Sequence, residues 1–382
     1  MIKIFKMSLA GLMFSVATIS SAGMITPNPT APSIAGTAHI LQDYDSGYIL
    51  MSENADERLP PASITKLMTS YVVSQEIHDG NIKLDDEVLI SEKAWRMIGS
   101  RSFIEVNTKV TVEALLRGMI VQSGNDAAVA LAEHVAGSEE VFAQMMNQYA
   151  QKLGMVNTNY QNATGLPGAE HYTTAHDIAI LSAALIRDFP EHYQWYAEKE
   201  YTYNGITQHN RNKLLWRDNT VDGLKTGHTE EAGYCLSASA KRDGMRLIAV
   251  VLGTASENAR AQEIQKMFNF GFRFFETHQL YAADEAITQT KVWKGQTDQL
   301  NLGLAQPLSI TVPRGRYKDL QASTNIQQPV VAPVAKGSEL GEVEIRLGDE
   351  VVATRMLVAV DEVEKGSWWR RILDSLLMLI WG

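Results

Sequence analysis

The sequence predicts an α+β protein in which one antiparallel sheet is flanked by helices, followed by a small all-β domain and a terminal amphipathic helix. Three observations carry this prediction. Strand-like runs stand early, at residues 38–51, and late, at 227–252, with helical spacing of apolar residues between them. Short alternating runs separated by Gly, Pro and Asp fill residues 286–360. Residues 366–382 carry apolar side chains on one helical face and polar ones on the other.

The first half of the chain begins with a hairpin and continues with helices. Residues 38–41 and 48–51 are predicted strands, joined by a turn at 43–47. Pro60-Pro61 ends the hairpin, and a helix is predicted over residues 63–77 because proline is common just before a helix start. Apolar periodicity predicts further helices at 111–119, 126–136, 139–153 and 174–186.

The second half returns to strands. Residues 227–240 and 245–252 are predicted to form a hairpin around Lys241-Arg242-Asp243-Gly244, and a long helix is predicted at 257–276. We therefore expect one sheet whose outer strands come from early in the chain and whose inner strands come from late. A larger domain at 34–279 is expected to precede a β domain at 280–363, with strands at 287–292, 308–312, 343–346 and 351–360.

The N-terminus has the features of an export signal. Lys3 and Lys6 precede an apolar stretch at residues 7–19, and Ser20-Ser21-Ala22 supplies the small residues of a cleavage site. We expect cleavage after Ala22, which removes residues 1–22. The alternative, an uncleaved anchor, is less favoured because the apolar run is too short to span a bilayer comfortably.

The C-terminal segment, residues 366–382, is predicted to be an amphipathic helix. Its tryptophan and aliphatic residues fall on one side, and Arg370, Arg371, Asp374 and Ser375 fall on the other. This pattern is typical of a helix that lies in a membrane surface. Packing on the β domain or on a second copy of the chain is the alternative.

Composition excludes several classes of function. A net charge of −10 argues against nucleic-acid binding, which needs a basic face. The single cysteine, Cys235, excludes an internal disulfide, and a buried apolar role is expected for it. His171, His176 and His209 lack metal-binding spacing, so no metal or cofactor is predicted and each is expected to be a surface or packed histidine.

Chemistry is indicated first by Ser63-Ile-Thr-Lys66. On a helix that starts at Ser63, both side chains face the same way, and the serine lies at the positive N-terminal end. A neutral Lys66 amine could accept the hydroxyl proton if burial and a like charge, with Lys225 as the candidate, lower its pKa. The alternative is that Ser63 only caps the helix.

Two further motifs follow in order. Ser123-Gly-Asn125 precedes a helix; Ser123 could relay a proton and Asn125 could hold a substrate amide and steady Lys66, although either could instead be a helix cap. In Lys225-Thr226-Gly227-His228, the lysine and threonine can bind a carboxylate, and Gly227 would let a substrate backbone approach a strand edge. The alternative for this segment is a plain turn, because Asp222-Gly223 precedes it.

Together these motifs resemble those of the serine-type D-alanyl-D-alanine carboxypeptidases, the low-molecular-mass penicillin-binding proteins. The similarity includes Pro61-Ala-Ser63-Ile-Thr-Lys66-Leu-Met-Thr-Ser70-Tyr71, Val221-Asp-Gly-Leu-Lys225-Thr-Gly-His228-Thr and Gly271-Phe-Arg-Phe-Phe-Glu276. It runs from about Ile34 to the C-terminus. The resemblance implies a β-lactamase/transpeptidase-like fold, a β domain, and a terminal helix on the periplasmic face of the inner membrane.

The resemblance also implies roles for individual residues. Ser63 would be acylated by the penultimate D-alanine of a peptidoglycan pentapeptide stem, and by β-lactam antibiotics as inhibitors. Lys66 would be the general base, and the backbone N–H groups of Ser63 and His228 would form the oxyanion hole. Arg260 matches an arginine that binds the substrate's terminal carboxylate. Arg211 resembles another arginine near the site, although a surface charge on a loop is the alternative.

Other functions share these motifs. A serine β-lactamase would need a deacylating glutamate, and Glu170 lies in the loop 165–174 where one is expected. Gly124 in the middle motif and the absence of a suitably spaced asparagine after Glu170 disfavour this alternative. A D,D-endopeptidase cannot be separated by the motifs. A non-catalytic envelope scaffold is disfavoured because Ser63, Lys66 and Lys225 are intact.

Overall fold

The computed structural model describes residues 30–381, so the predicted export signal at residues 1–22 lies outside the described residues. The strands in the described part are β1 Ala38–Asp43, β2 Ile49–Glu53, β3 Glu87–Leu89, β4 Lys109–Thr111, β5 Glu200–Tyr203, β6 Ile206–His209, β7 Val221–Thr229, β8 Gly233–Arg242, β9 Met245–Thr254, β10 Phe275–Tyr281, β11 Thr288–Trp293, β12 Gln299–Gly303, β13 Leu308–Pro313, β14 Leu320–Ile326, β15 Val330–Val331, β16 Glu339–Leu347 and β17 Glu350–Ala359.

The helices are α1 Lys66–His78, α2 Glu92–Trp95, α3 Val112–Val121, α4 Asn125–Ala136, α5 Glu139–Leu153, α6 Ala175–Asp188, α7 Pro190–Tyr193, α8 Leu214–Arg217, α9 Glu257–Phe274 and α10 Trp368–Trp381. Short 3₁₀ turns stand at Ala62–Thr65, Gln194–Ala197 and Tyr317–Asp319.

The main sheet is antiparallel with strand order β2-β1-β9-β8-β7. The α+β prediction is confirmed, but the arrangement of early and late strands is only half right. β1 and β2 form one edge, whereas β7 forms the other edge and also comes from late in the chain. The predicted strand 227–240 is in fact two strands: β7 ends at Thr229, and the chain turns before β8 begins at Gly233.

Both faces of this sheet are buried. Along β9, Ile248 and Val250 pack into the core formed with α1 and α3–α6, whereas Leu247 and Val251 pack against α9. This alternation follows from the two-residue period of a strand. A sheet covered on both faces holds its edge strand β7 rigidly, which matters because β7 carries the third motif.

Several predicted helices differ from the structure by one to three residues at an end, and two of these differences change the interpretation. The helix predicted from Ser63 begins at Lys66, and Ser63 lies in the preceding 3₁₀ turn, so Ser63 is not the cap of an α-helix. The helix predicted over 257–276 ends at Phe274, because from Phe275 the chain is extended and β10 pairs with β13. The predicted helix 139–153 is confirmed at both ends.

A second, six-stranded sheet has the order β14-β16-β17-β12-β11-β15, and the β10–β13 pair stands beside it. The all-β prediction is confirmed, although β10, β12, β14 and β15 were not predicted. β14 could not be recognised from its sequence because it lacks the alternation of apolar and polar residues that predicts a strand. Five of its seven residues are exposed and polar or small. Asp43 of β1 links the main sheet to the β10–β13 pair by accepting from Thr277 Oγ1 at 2.8 Å. The domain boundary between 279 and 280 stays a prediction.

The terminal helix α10 has an exposed apolar face that includes Trp368, Trp369 and Leu379, the last being 84% exposed. Its polar side contacts the β domain, because Asp374 Oδ2 accepts from Lys294 N at 2.5 Å and Arg370 donates to Gln296 O at 3.2 Å. Among the described helices, none is both long and apolar enough to cross a bilayer.

Candidate active site

A cleft of about 380 Å³ opens where the 3₁₀ turn, the α3–α4 junction, the edge strand β7 and the loop before α6 meet. It contains parts of all three motifs. The residues that line it are Ser63, Gly99, Ser100, Ser123, Asn125, Thr164, Gly165, Leu166, Arg211, Thr226, Gly227, His228, Thr229, Tyr234, Glu257 and Arg260. The fold thus brings together residues that lie up to 197 positions apart in the chain, between Ser63 and Arg260.

The turn that carries Ser63 is fixed by close packing. Ala62 has a left-handed φ of 46°, a conformation that is costly for a residue with a side chain. The loop residue Gly165 packs directly on this turn, because a Cβ atom at position 165 would lie 1.8 Å from Ala62 O. Only glycine fits here, so the loop and the nucleophile turn are held together as one unit.

Lys66 is the centre of the site's hydrogen bonding. Its side chain is buried, with 1% of the residue exposed. The Nζ atom lies 3.0 Å from Ser63 Oγ, 2.7 Å from Asn125 Oδ1 and 2.5 Å from Thr164 O. Burial, and then the positive charge of Arg211, lower the pKa of Lys66 to about 7. The amine is therefore substantially neutral near neutral pH.

The three contacts of Lys66 suit a neutral amine. Thr164 O is a carbonyl and can only accept. Asn125 also offers its oxygen, because its Nδ2 donates to the carbonyl of Ile98 at 2.6 Å. A neutral amine has two hydrogens, one for each of these acceptors, and its lone pair is then left for the hydroxyl hydrogen of Ser63. In this arrangement the Ser63 hydroxyl can donate its proton to the Lys66 amine.

The second motif lies at a strained turn between α3 and α4. Ser123 has φ 68°, and its buried hydroxyl has no hydrogen-bond partner among the described residues. The helix α4 begins at Asn125 after Gly124, with no side-chain cap, so neither Ser123 nor Asn125 acts as the cap that the sequence allowed. Ser123 is thus a free hydroxyl at the cleft, next to the residue that steadies Lys66.

The third motif lies within β7 and is not a turn. Lys225 is 3% exposed, and its pKa is lowered by burial and then by the charges of Lys66, Arg211 and Arg260. The requirement for Gly227 has a different cause from the one expected from sequence. A Cβ atom there would lie 3.0 Å from Pro61 O and 3.2 Å from Ala62 Cβ, so the glycine lets β7 pack on the nucleophile turn.

One end of the cleft is cationic. Arg260 is buried and donates to Gly227 O at 3.1 Å, and Tyr234 stacks on His228 with ring centroids 3.9 Å apart. Arg211 is exposed but lines the same end. Lys225 was expected to be the like charge beside Lys66. The charge of Arg211 lowers the pKa of Lys66, and Lys66 and Lys225 also repel each other, because the charge of Lys66 lowers the pKa of Lys225.

Some residues of the cleft were not predicted from the sequence. Thr164, Gly165 and Leu166 belong to none of the three motifs. The only signal in this segment is Gly165, because glycine favours the positive φ that it adopts here. Glu257, which pairs with Lys213 at 2.7 Å, was not singled out either. Glu170 does not line the cleft and is exposed on the loop beyond it. Cys235 is buried as expected, and His209 is exposed.

Two family models match the chain. The model described as D-alanyl-D-alanine carboxypeptidase matches residues 25–256, and the model described as penicillin-binding protein 5, C-terminal domain, matches residues 275–365.

Individual relatives extend this similarity over most of the chain. The D-alanyl-D-alanine carboxypeptidase DacC of Escherichia coli (strain K12) is 45% identical over 91% of this chain and 89% of its own length. DacA of the same organism is 40% identical over 97% of this chain and 94% of its own length. The crystal structure of penicillin binding protein 5 from Haemophilus influenzae superposes with a TM-score of 0.85 at 42% identity, covering 88% of this chain and 100% of that one.

Proposed function

The chain belongs to the D-alanyl-D-alanine carboxypeptidase family of serine-type peptidases, and we propose that it removes the terminal D-alanine from peptidoglycan pentapeptide stems through an acyl-enzyme on Ser63. The observation that carries the mechanism is the position of Lys66 Nζ, buried and 3.0 Å from Ser63 Oγ, with two other acceptors for its hydrogens. β-Lactam antibiotics would acylate the same hydroxyl.

In the acylation step, Ser63 Oγ attacks the carbonyl carbon of the penultimate D-alanine while its proton passes to Lys66 Nζ. The backbone N–H groups of Ser63 and His228 would stabilise the oxyanion. When the C–N bond breaks, the leaving amine takes up a proton, which Lys66 supplies through the hydroxyl of Ser123. Free D-alanine departs, and the peptide remains as an ester on Ser63.

Hydrolysis of this ester repeats the proton transfer with water. Lys66 has returned to the neutral form, and its lone pair now faces a water molecule that attacks the ester carbonyl. The water's proton passes to Lys66 and then to Ser63 Oγ as the C–O bond breaks. Among the described residues, the loop lines the cleft with Thr164, Gly165 and Leu166 and with no carboxylate, and Glu170 is exposed outside it. This supports the carboxypeptidase over a β-lactamase that would use such a glutamate.

The cationic end is proposed to bind the substrate's terminal carboxylate, through Thr226, Lys225 and Arg260, with Arg211 at the rim. Replacing Arg260 by glutamine should raise KM for a peptide ending in D-Ala-D-Ala by about 10- to 100-fold, because a charge-assisted hydrogen bond contributes about 1.5–3 kcal/mol. Steady-state kinetics with the free-acid peptide and its C-terminal amide would measure this, and the preference for the acid should shrink.

Arg217→Gln is the matched control for Arg260. Arg217 is an exposed arginine that donates to Asn258 and does not line the cleft. It should leave KM unchanged. If Arg260→Gln raises KM equally for the free-acid peptide and for its C-terminal amide, the arginine only holds β7 through Gly227 O.

Product analysis tests the reaction itself. Purified protein incubated with a pentapeptide ending in D-Ala-D-Ala should release one D-alanine per peptide and turn over a chromogenic cephalosporin only slowly. Rapid cephalosporin turnover without D-alanine release would favour the β-lactamase. Cleavage of a cross-linked dimer faster than release of D-alanine would favour the endopeptidase.

We also propose that the protein is exported and acts at the periplasmic face of the inner membrane. The lysines and apolar residues of segment 1–22 and the exposed apolar face of α10 support this location. Deleting residues 366–382 should abolish sedimentation of the mature protein with phosphatidylethanolamine–phosphatidylglycerol vesicles while penicillin acylation persists. Co-sedimentation of the shortened chain would contradict the role of α10.

A further inference from the structure

A buried histidine, His171, lies behind the catalytic lysine and takes no part in the mechanism above. It is 4% exposed and stands in the segment between α5 and α6. Its Nε2 lies 2.9 Å from Thr65 Oγ1, and its Nδ1 lies 3.1 Å from Gln161 N and 3.3 Å from Asn162 Nδ2. Both ring nitrogens therefore have hydrogen-bond partners. Nε2 faces the turn that carries Ser63, and Nδ1 faces the loop that begins at Gln161.

These contacts assign the tautomer. The backbone N–H of Gln161 can only donate, so Nδ1 of His171 accepts and carries no proton. The proton of the neutral ring is then on Nε2, which donates to Thr65 Oγ1. Burial, and then the charge of Lys66, lower the pKa of His171 to about 4, which agrees with a neutral ring at neutral pH.

The partners of His171 connect it to Lys66 from two sides. Thr65 precedes Lys66 in the chain, within the turn that carries Ser63. Gln161 and Asn162 begin the loop that ends at Thr164 and Gly165. Asn162 Oδ1 shapes this loop by accepting from Thr164 N at 3.1 Å and from Gly165 N at 2.7 Å. Thr164 O is thereby placed 2.5 Å from Lys66 Nζ.

We propose that His171 is a positioning residue for the acyl-transfer reaction: its neutral ring clamps the loop 161–165 to the nucleophile turn and so keeps Thr164 O on Lys66 Nζ. This inference rests on the proposed function, in which Lys66 is the base. With Thr164 O in place, one amine hydrogen is taken and the lone pair faces Ser63. Without the clamp, the carbonyl moves and the amine is free to rotate its lone pair away from the hydroxyl.

The test is the pre-steady-state reaction with benzylpenicillin. Three quantities are measured: the rate constant of acylation, the dissociation constant of the non-covalent complex that precedes it, and the fraction of protein acylated. In His171→Ala the acylation rate constant should fall about 10- to 100-fold, because misplacement of a catalytic group by about 1 Å has effects of this size. The dissociation constant should stay the same, since the cationic end is untouched.

His171→Asn should recover part of the lost rate, because its amide oxygen can accept from Gln161 N. Thr65→Val removes the other end of the clamp, so its effect and that of His171→Ala should be less than additive in the double variant. His176→Ala is the matched control, because His176 is a half-buried histidine that pairs with Asp56 and does not line the cleft. It should not change the rate constant.

The outcomes separate the two hypotheses. If wild-type protein forms no adduct on Ser63, the proposed function fails. If wild type reacts and His171→Ala acylates at the wild-type rate, the clamp is wrong. If His171→Ala lowers only the fraction of protein that reacts, and not the rate constant, the histidine is merely structural and the inference is overturned.

Discussion

Replacing Ser63 by alanine is expected to abolish the covalent benzylpenicillin adduct and to lower D-alanine release by about 10⁵- to 10⁶-fold, the loss seen when a serine nucleophile is removed from an acyl-transfer triad. The oxygen that forms the ester is absent, so neither Lys66 nor the cationic end can compensate. Intact-mass spectrometry would detect the adduct, and a D-amino-acid oxidase assay would measure the product.

The alanine variant should remain folded, since Ser63 Oγ contacts only the tip of Lys66 within the described hydrogen bonds. Its thermal unfolding should therefore match that of wild type, while a control variant, Ser52→Ala on the exposed edge strand β2, should keep both adduct and activity. The same adduct mass on Ser63→Ala would show that another residue is the nucleophile.

The proximity of Ser63 to Lys66 could be predicted from sequence because its signals are local. Ser63 and Lys66 are three residues apart, and any helical turn brings such a pair together. The helix α5 was predicted at both ends for a similar reason: Ser138 caps its start by accepting from Val141 N, and Gly154 ends it with φ 84°. Features of this kind depend on residues a few positions apart, so the sequence alone predicts them.

The surroundings of Lys66 could not be predicted in the same way. One of the two acceptors for the hydrogens of Lys66 is the backbone carbonyl of Thr164. A backbone carbonyl has no side chain, so no residue type in the sequence indicates it. The loop that places it is shaped by Asn162 and His171, whose types are equally common on surfaces. The cations near Lys66 were only partly predicted, because sequence gives no distances: Arg211 lowers the pKa of Lys66 in addition to the repulsion between Lys66 and Lys225.

At Gly227 the sequence predicts the need for a glycine but not the neighbour that causes it. The sequence pattern predicts a position where no side chain is tolerated, and the structure agrees. The neighbour that excludes a side chain is the nucleophile turn, however, with Pro61 O 3.0 Å from the position of a Cβ atom. A glycine at a strand edge indicates close approach but not the identity of the approaching group.

Replacing Lys66 by arginine is expected to lower the rate constant of acylation by about 10²- to 10⁴-fold, the usual contribution of a general base. Arginine keeps hydrogen-bond donors at this position, but its guanidinium stays protonated and cannot offer a lone pair near neutral pH. The exchange of one basic residue for another thus tests whether the neutral amine is the functional species. Arg217→Lys, an exposed exchange of the same two residue types outside the cleft, is the control.

The pH dependence of acylation tests the same point without a substitution. Because the pKa of Lys66 is lowered to about 7, the neutral form dominates above that pH and the protonated form below it. The acylation rate constant in wild type should therefore rise with pH through about 7 and level off above it, whereas the residual rate of Lys66→Arg should lack this step. A wild-type rate that stays constant from pH 6 to 9, or an arginine variant as fast as wild type, would show that Lys66 does not accept the proton of Ser63. Proton transfer would then have to pass to another group of the motifs, with the buried Ser123 and Lys225 as the candidates.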